Sequence, residues 1–132
     1  MSKLPRNVAF CPCQSGRSYA ACCRPFHLGE AVPQTVEALM RSRYSAFALH
    51  LTDYIWSTWH PDYRPTLHDL RADHGVQWRR LEVLGADEGP SHGVVEFRAY
   101  WRTSTDRGVV HERSSFVKEG GLWYYTVGME LA

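Results

Sequence analysis

The feature that most constrains this chain is a change of period at Gly75. Before it, apolar residues recur at helical spacing. After it, they alternate as in strands. The spacing predicts a helix from Thr35 to about Leu49, with Thr35 as N-cap and Glu37 in the first turn, where a carboxylate meets the positive end of the macrodipole. Val36, Leu39, Met40, Arg43 and Phe47 form its stripe. A second helix is expected from about Thr52 to Trp59, capped by Thr52 or Asp53 and stopped by Pro61, and a third from about Thr66 to Asp73. Four strands follow, at Trp78–Leu84, Gly93–Thr103, Val109–Lys118 and Leu122–Glu130, each bounded by Gly, Pro, Asp or Ser. In the second strand Val95, Phe97, Ala99 and Trp101 share one face, and Glu96, Arg98, Tyr100 and Arg102 the other. Gly120-Gly121 marks a hairpin. Helices first and an antiparallel meander afterwards give an α+β fold.

The first 33 residues stand apart. They hold all four cysteines and little apolar periodicity, so residues 1–33 are read as a small knuckle and 34–132 as the main domain. The cysteines fall as Cys11-Pro-Cys13, eight residues, then Cys22-Cys23. Two short thiol pairs joined by a loop can wrap one tetrahedral ion, and four protein ligands close the site, so its role is structural. Gly16 allows a sharp turn, Arg17 and Arg24 bring positive charge, and Tyr19 and Phe26 are expected to cover the sulfurs. His27 is the alternative to Cys23 as fourth ligand. Redox thiols are the competing reading; a vicinal Cys22–Cys23 disulfide would be strained and is not expected as a structural device.

Charge and hydropathy narrow the partners. Lys+Arg is 15 against Asp+Glu 14, a net charge of +1, which gives no general attraction to nucleic acid or to an anionic membrane. No apolar run approaches the roughly 18 residues of a membrane span. Met1–Phe10 lacks an apolar leader core, so the expected compartment is the cytoplasm, where thiols stay reduced. No phosphate-binding glycine motif and no Ser-His-Asp order occurs.

Several residues suit a lined cavity: Arg41, Arg43, Tyr44, Tyr54, Trp56, Trp59 and His60 from the helices, and Glu96, Arg98, Tyr100, His111, Glu112, Ser114, Trp123 and Tyr125 from the strands. Arg43 is the most informative, because a guanidinium on an apolar stripe needs a partner. Glu96 or Glu112 is expected to pair it. The alternatives are an anion site in a cavity, or a side chain that reaches water. His60 and His111 are candidate general bases, but adjacent His111 and Glu112 point to opposite faces of a strand and form no dyad.

Cys11-Pro-Cys13-Gln-Ser-Gly16-Arg-Ser-Tyr19-Ala-Ala-Cys22-Cys23 resembles the SEC-C motif, the zinc-binding segment at the C-terminus of the SecA translocation ATPase. The usual form has Gly where Gln14 stands, and its last ligand is Cys or His. Cys23-Arg-Pro-Phe-His, Ala38-Leu-Met-Arg-Ser-Arg-Tyr-Ser-Ala-Phe47, Thr58-Trp-His-Pro61, Val95-Glu-Phe97 and His111-Glu-Arg-Ser-Ser-Phe116 are similar to a bacterial YchJ-like family. The resemblance implies a zinc knuckle joined to an NTF2-like cone, a curved sheet folded around helices with a cavity between. It also admits a homodimer through the open sheet face. Two functions follow as expectations. The first is an adaptor that docks a protein partner on the knuckle through Arg17, Arg24 and the Tyr19 ring. The other is a small-molecule binder or enzyme, with Arg43 holding an anionic group in the cavity.

Overall fold

The computed structural model describes residues 10–72 and 75–131. A 3-10 turn at Tyr19–Ala21 and a short helix α1 (Arg24–His27) lie in the knuckle, where periodicity had shown nothing. Helix α2 (Val36–Ala48), α3 (Thr52–Ser57) and α4 (Leu67–Leu70) follow. Then come β1 (Gln77–Glu88), β2 (His92–Arg102), β3 (Arg107–Glu119) and β4 (Leu122–Glu130). The strands pair antiparallel in chain order, the expected meander.

Helix α2 begins as expected: Thr35 Oγ1 accepts from Ala38 N at 3.0 Å. A second cap comes from far away in sequence, because Glu88 Oε1 at the end of β1 accepts from Val36 N at 2.8 Å. The helix ends in a Schellman turn. Leu51 N donates to Ala46 O at 2.8 Å and His50 N to Phe47 O at 3.3 Å, with His50 at φ 60°.

That turn feeds directly into α3, whose N-cap is Leu51 with no side-chain cap, so neither Thr52 nor Asp53 fills that place. The helix also stops before Trp59. Thr58 Oγ1 donates to Tyr54 O at 2.7 Å, and the chain then joins the sheet: Tyr125 N donates to Thr58 O at 2.9 Å and His60 N to Tyr125 O at 2.8 Å. Helix α4 has Thr66 as N-cap and ends at Leu70; Asp73, the expected end, lies outside the described residues.

Register shifts at Trp78/Arg80 and Val83/Gly85 in β1 and at Ser114/Phe116 in β3 bend the sheet. Its inner face packs on α2, where Val36, Leu39, Met40 and Tyr44 meet Leu81, Val95, Phe97, Ala99, Phe116 and Trp123. A second, smaller cluster contains Cys11, Cys13, Tyr19 and Cys23, with Leu49 and Leu51 against it. The two clusters flank α2. Gly120 and Gly121 have φ of 58° and 81°, the two left-handed residues that a tight β3–β4 hairpin requires. Among the described residues no helix is long and apolar enough to cross a membrane.

Candidate metal centre and aromatic cavity

The knuckle is built by local turns. Cys11 N donates to Arg17 O at 2.8 Å and Gln14 N to Cys11 O at 3.2 Å, which folds the first thiol pair back on itself. Gln14 and Gly16 both adopt left-handed backbone, at φ 66° and 85°. Ser18 caps the 3-10 turn, accepting from Ala21 N, and Cys23 is the N-cap of α1. The Arg17 guanidinium donates to the Ala21 carbonyl.

The result gathers all four sulfurs within 4.8 Å of one another, three of the four cysteines being buried. Cys13 and Cys22 Sγ are 3.6 Å apart, and Cys22 and Cys23 Sγ 3.9 Å. A tetrahedral tetrathiolate with metal–sulfur bonds of about 2.3 Å has sulfur–sulfur edges of about 3.8 Å, close to those two separations, so the donor set suits a metal ion. The cysteines are free thiols rather than disulfides. Their acidities diverge. Hydrogen bonds from Cys11, then Cys23, push Cys13 strongly down, while the hydrogen bonding to Cys11 and Cys13, together with burial, pushes Cys23 strongly up. Burial also raises Cys22. Four thiolates this close would repel one another, and a divalent cation that displaces the thiol protons offsets most of that repulsion.

Helix α2 supplies the floor under the sulfurs. Ser45 is fully buried; it donates to Cys23 Sγ at 3.4 Å and its oxygen lies 3.4 Å from Cys11 Sγ. Arg41 donates to the Cys13 carbonyl at 2.6 Å while pairing with Glu37 at 2.9 Å, so it faces the knuckle. Tyr19 does cover the cluster, at 1% exposure, which removes its ring from the exposed contact set; Phe26 is not part of that cluster. His27 points away from the thiols. A carbonyl only accepts, so His27 Nε2 donates to Ser42 O at 2.8 Å, and Nδ1 accepts from the Tyr19 hydroxyl at 2.7 Å. Burial lowers the His27 pKa, which favours this neutral tautomer. Tyr54 adds an edge contact to the His27 ring at 4.7 Å and shares a 2.7 Å hydrogen bond with Ser42.

The opposite side of α2 faces a cavity of about 170 Å³ lined by Met40, Arg43, Tyr44, Phe47, Trp59, Trp78, Phe97, Ala99, Val110, Glu112, Ser114 and Tyr125. Arg43 is 3% exposed. Its Nη1 donates to Ile55 O and Thr58 Oγ1, both at 2.7 Å, and its Cζ stands 4.5 Å from the Tyr125 ring centre and 5.4 Å from that of Trp59. No carboxylate among the described residues lies within ion-pair distance of it. The expected Glu96 or Glu112 partner is replaced by a carbonyl, a hydroxyl and two aromatic faces.

Glu96 could not have reached Arg43: as a neighbour of inward Val95 and Phe97 it points outward, bonding His111 Nε2 at 2.9 Å and Arg113 at 3.2 Å. The hydrogen bonds from His111, then Arg113, lower its pKa. His111, Arg98 and Tyr100 share that outer face, the last two with Glu82. The expected split of His111 from Glu112 holds, because Glu112 turns inward and accepts from Ser114 Oγ at 2.8 Å.

His60 is buried outside the cavity. Its Nδ1 accepts from Asp62 N at 3.1 Å, so Nε2 donates to Glu119 at 2.8 Å, tying the loop after α3 to the β3–β4 hairpin. Trp56 bonds Pro65 O and carries Arg64 on its face. Trp123 is core, its buried Nε1 without a partner among the described residues.

Three contributors escaped the reading of the sequence. Ser42 and Ser45 fall at a spacing of three on α2, which was the available signal. Gly128 gave none. A Cβ there would collide with the Glu112 carboxylate, so its bareness is what lets Glu112 lie where it does.

Comparison with known proteins agrees with this architecture. Residues 35–128 match the family described as YchJ, middle NTF2-like domain, and residues 11–25 match the SEC-C motif. A UPF0225 protein of Bordetella parapertussis is 43% identical over 132 residues, covering 97% of this chain and 98% of its own. The solution structure of a SEC-C motif containing protein from Rhodopseudomonas palustris superposes with TM-score 0.85 at 39% identity, covering 92% and 98% of the two chains. The crystal structure of one from Psychrobacter arcticus gives TM-score 0.75 at 32% identity, covering 92% and 84%.

Proposed function

The chain belongs to the YchJ-like family, and from that premise we propose that it is a small-molecule-binding protein whose cysteine cluster is a structural zinc centre. The observation that carries this reading is the double use of α2. One side of the helix presents Ser42 and Ser45 to the knuckle, and the other presents Arg43, Tyr44 and Phe47 to the cavity. Cys11, Cys13, Cys22 and Cys23 would hold the ion. Four sulfur ligands leave no open position, so bound zinc supplies a crosslink and no activated water. The residues of the chain do the rest: Tyr19 excludes water from the sulfurs, and Ser45 orients two of them. The main domain then offers its ligand a cationic anchor, aromatic walls and one carboxylate.

The test has two parts. Elemental analysis of protein purified without added metal should find about one zinc per chain, and none in Cys13→Ser. A metabolite library screened by thermal shift should contain compounds that raise the midpoint, since a ligand of the native state alone stabilises it. A metal-free wild type with unperturbed stability would sink the first part. A flat screen would sink the second.

A second reading, docking of a protein partner on the knuckle, is favoured by Phe10, which is 73% exposed and pairs with Ser18 beside exposed Arg17. It predicts that Phe10→Ser loses a partner recovered by wild type while zinc content is unchanged.

A further inference from the structure

We propose that the cavity around Arg43 takes a monoanionic aromatic carboxylate, with the carboxylate on the guanidinium and the ring between the aromatic walls. This rests on the ligand-binding reading above and gives it a chemical class.

Charge comes first. Arg43 is buried, yet its two hydrogen bonds both leave from Nη1. Among the described residues Nε and Nη2 make none, and no carboxylate lies within ion-pair distance of the group. Burial pushes Arg43 down to about 10, so it remains cationic at neutral pH. Neither Nε nor Nη2 is enclosed without a partner, a condition met among the described residues by Trp123 Nε1, so both keep accessible N–H groups on which a ligand carboxylate can accept two parallel bonds.

Glu112 sets the upper limit on negative charge. It lines the same cavity, and its field reaches Arg43. With one cation and one carboxylate already lining it, the cavity is left one negative charge in excess by a monoanion and two by a phosphate dianion or a dicarboxylate, which disfavours the latter. Ser114 occupies Oε2 of Glu112, and the remaining oxygen can accept a hydrogen bond from a ligand hydroxyl.

A cationic ligand is disfavoured for a separate reason. Aromatic faces attract quaternary ammonium groups, but the faces of Trp59 and Tyr125 are already used by Arg43.

Size and shape choose the body of the ligand. A dry cavity of roughly 150 Å³ accepts a benzene ring. The space here is about 170 Å³, enough for one ring and a carboxylate. Tyr44, Phe47 and Trp78 supply edges and faces for offset or edge-on ring contacts.

The zinc-loaded full chain would be titrated with benzoate and 4-hydroxybenzoate, reading tryptophan fluorescence, since Trp59 and Trp78 line the cavity. Benzyl alcohol, inorganic sulfate and tetramethylammonium serve as neutral, dianionic and cationic probes. Saturable binding of both benzoates is expected, with 4-hydroxybenzoate the tighter, and with the three other probes weaker by about tenfold or more, the scale of a lost charge-assisted hydrogen bond. Arg43→Lys should weaken benzoate by about tenfold, because an ammonium lacks the bidentate edge. Glu112→Gln should erase the advantage of 4-hydroxybenzoate. Val110→Phe, which fills the space without changing charge, should abolish binding, and it keeps the test decisive if Arg43→Lys does not fold. Benzyl alcohol or tetramethylammonium binding as tightly as benzoate would overturn the ligand class and leave the cavity standing. Benzoate binding that survives Val110→Phe would overturn the site. If no probe binds, this proposal is overturned; if the wider metabolite screen is flat as well, the ligand-binding reading falls with it.

Discussion

At the scale of single residues, two side chains occupy backbone that suits glycine. Gln14 and His50 have φ of 66° and 60°, a region that costs a side chain about 1 kcal/mol. Gln14→Gly and His50→Gly should each stabilise the fold by up to about 1 kcal/mol, the gain reduced by the freer unfolded chain. Paired thermal melts at one zinc concentration would show a rise of about 1–4 °C per substitution; a fall would mean that the Gln14 side chain, which donates to Pro12 O at 3.3 Å, does more than its geometry implies. Gly128 makes the opposite case. Gly128→Ala must displace the Glu112 carboxylate, so a destabilisation of about 1–3 kcal/mol is expected, with Glu112→Ala recovering part of it in the double variant. That Gln14 stands where the SEC-C pattern has glycine was legible in the sequence. The strain at His50 was not, because nothing local requires α2 to end in a left-handed residue until Leu51 is held against the sulfur cluster.

Among elements, α2 decides most. Its N-cap and apolar stripe were readable, and so was the inward turn of Arg43. What Arg43 meets was not, because its partners on Ile55, Thr58, Trp59 and Tyr125 depend on α3 giving way to a strand-like bridge before Trp59. The alternation of β2 already placed Glu96 opposite Val95 and Phe97, so its absence from the cavity was a consequence the pattern contained. Ser45 touches two sulfurs from the same helix that lines the cavity. Ser45→Ala should therefore speed zinc loss to a chelator, with affinity falling by about 10- to 100-fold, while the melting of a zinc-saturated sample changes little. Unchanged release kinetics would show that Ser45 only fills space.

For the whole molecule, two cores share one helix, and their stabilities should separate. The knuckle cluster contains little besides cysteines and Tyr19, whereas the sheet core is extensive. Zinc in such sites contributes on the order of 10 kcal/mol, so chelation should melt residues 11–28 and leave the sheet folded. Amide spectra would then lose the knuckle signals and keep those of β2 and β3; global unfolding on chelation would refute the separation. Acid acts at the same seam. The His27 pKa is lowered from 6.5 by burial, so the unfolded chain binds the proton first, and stability present above about pH 6.5 declines as pH falls through that value. A ring-proton titration should place the His27 midpoint below 6.5. The sequence alone determined the α+β order, the meander, the hairpin at Gly120-Gly121 and the grouping of the four thiols, because each follows from local period, turn chemistry or short spacing. The tertiary structure alone decided that Glu88 caps α2, that Gly128 makes room for Glu112, and that Arg43 rests on rings instead of a carboxylate. Those contacts join residues far apart in the chain, and no local pattern encodes which of several partners a curved sheet brings near.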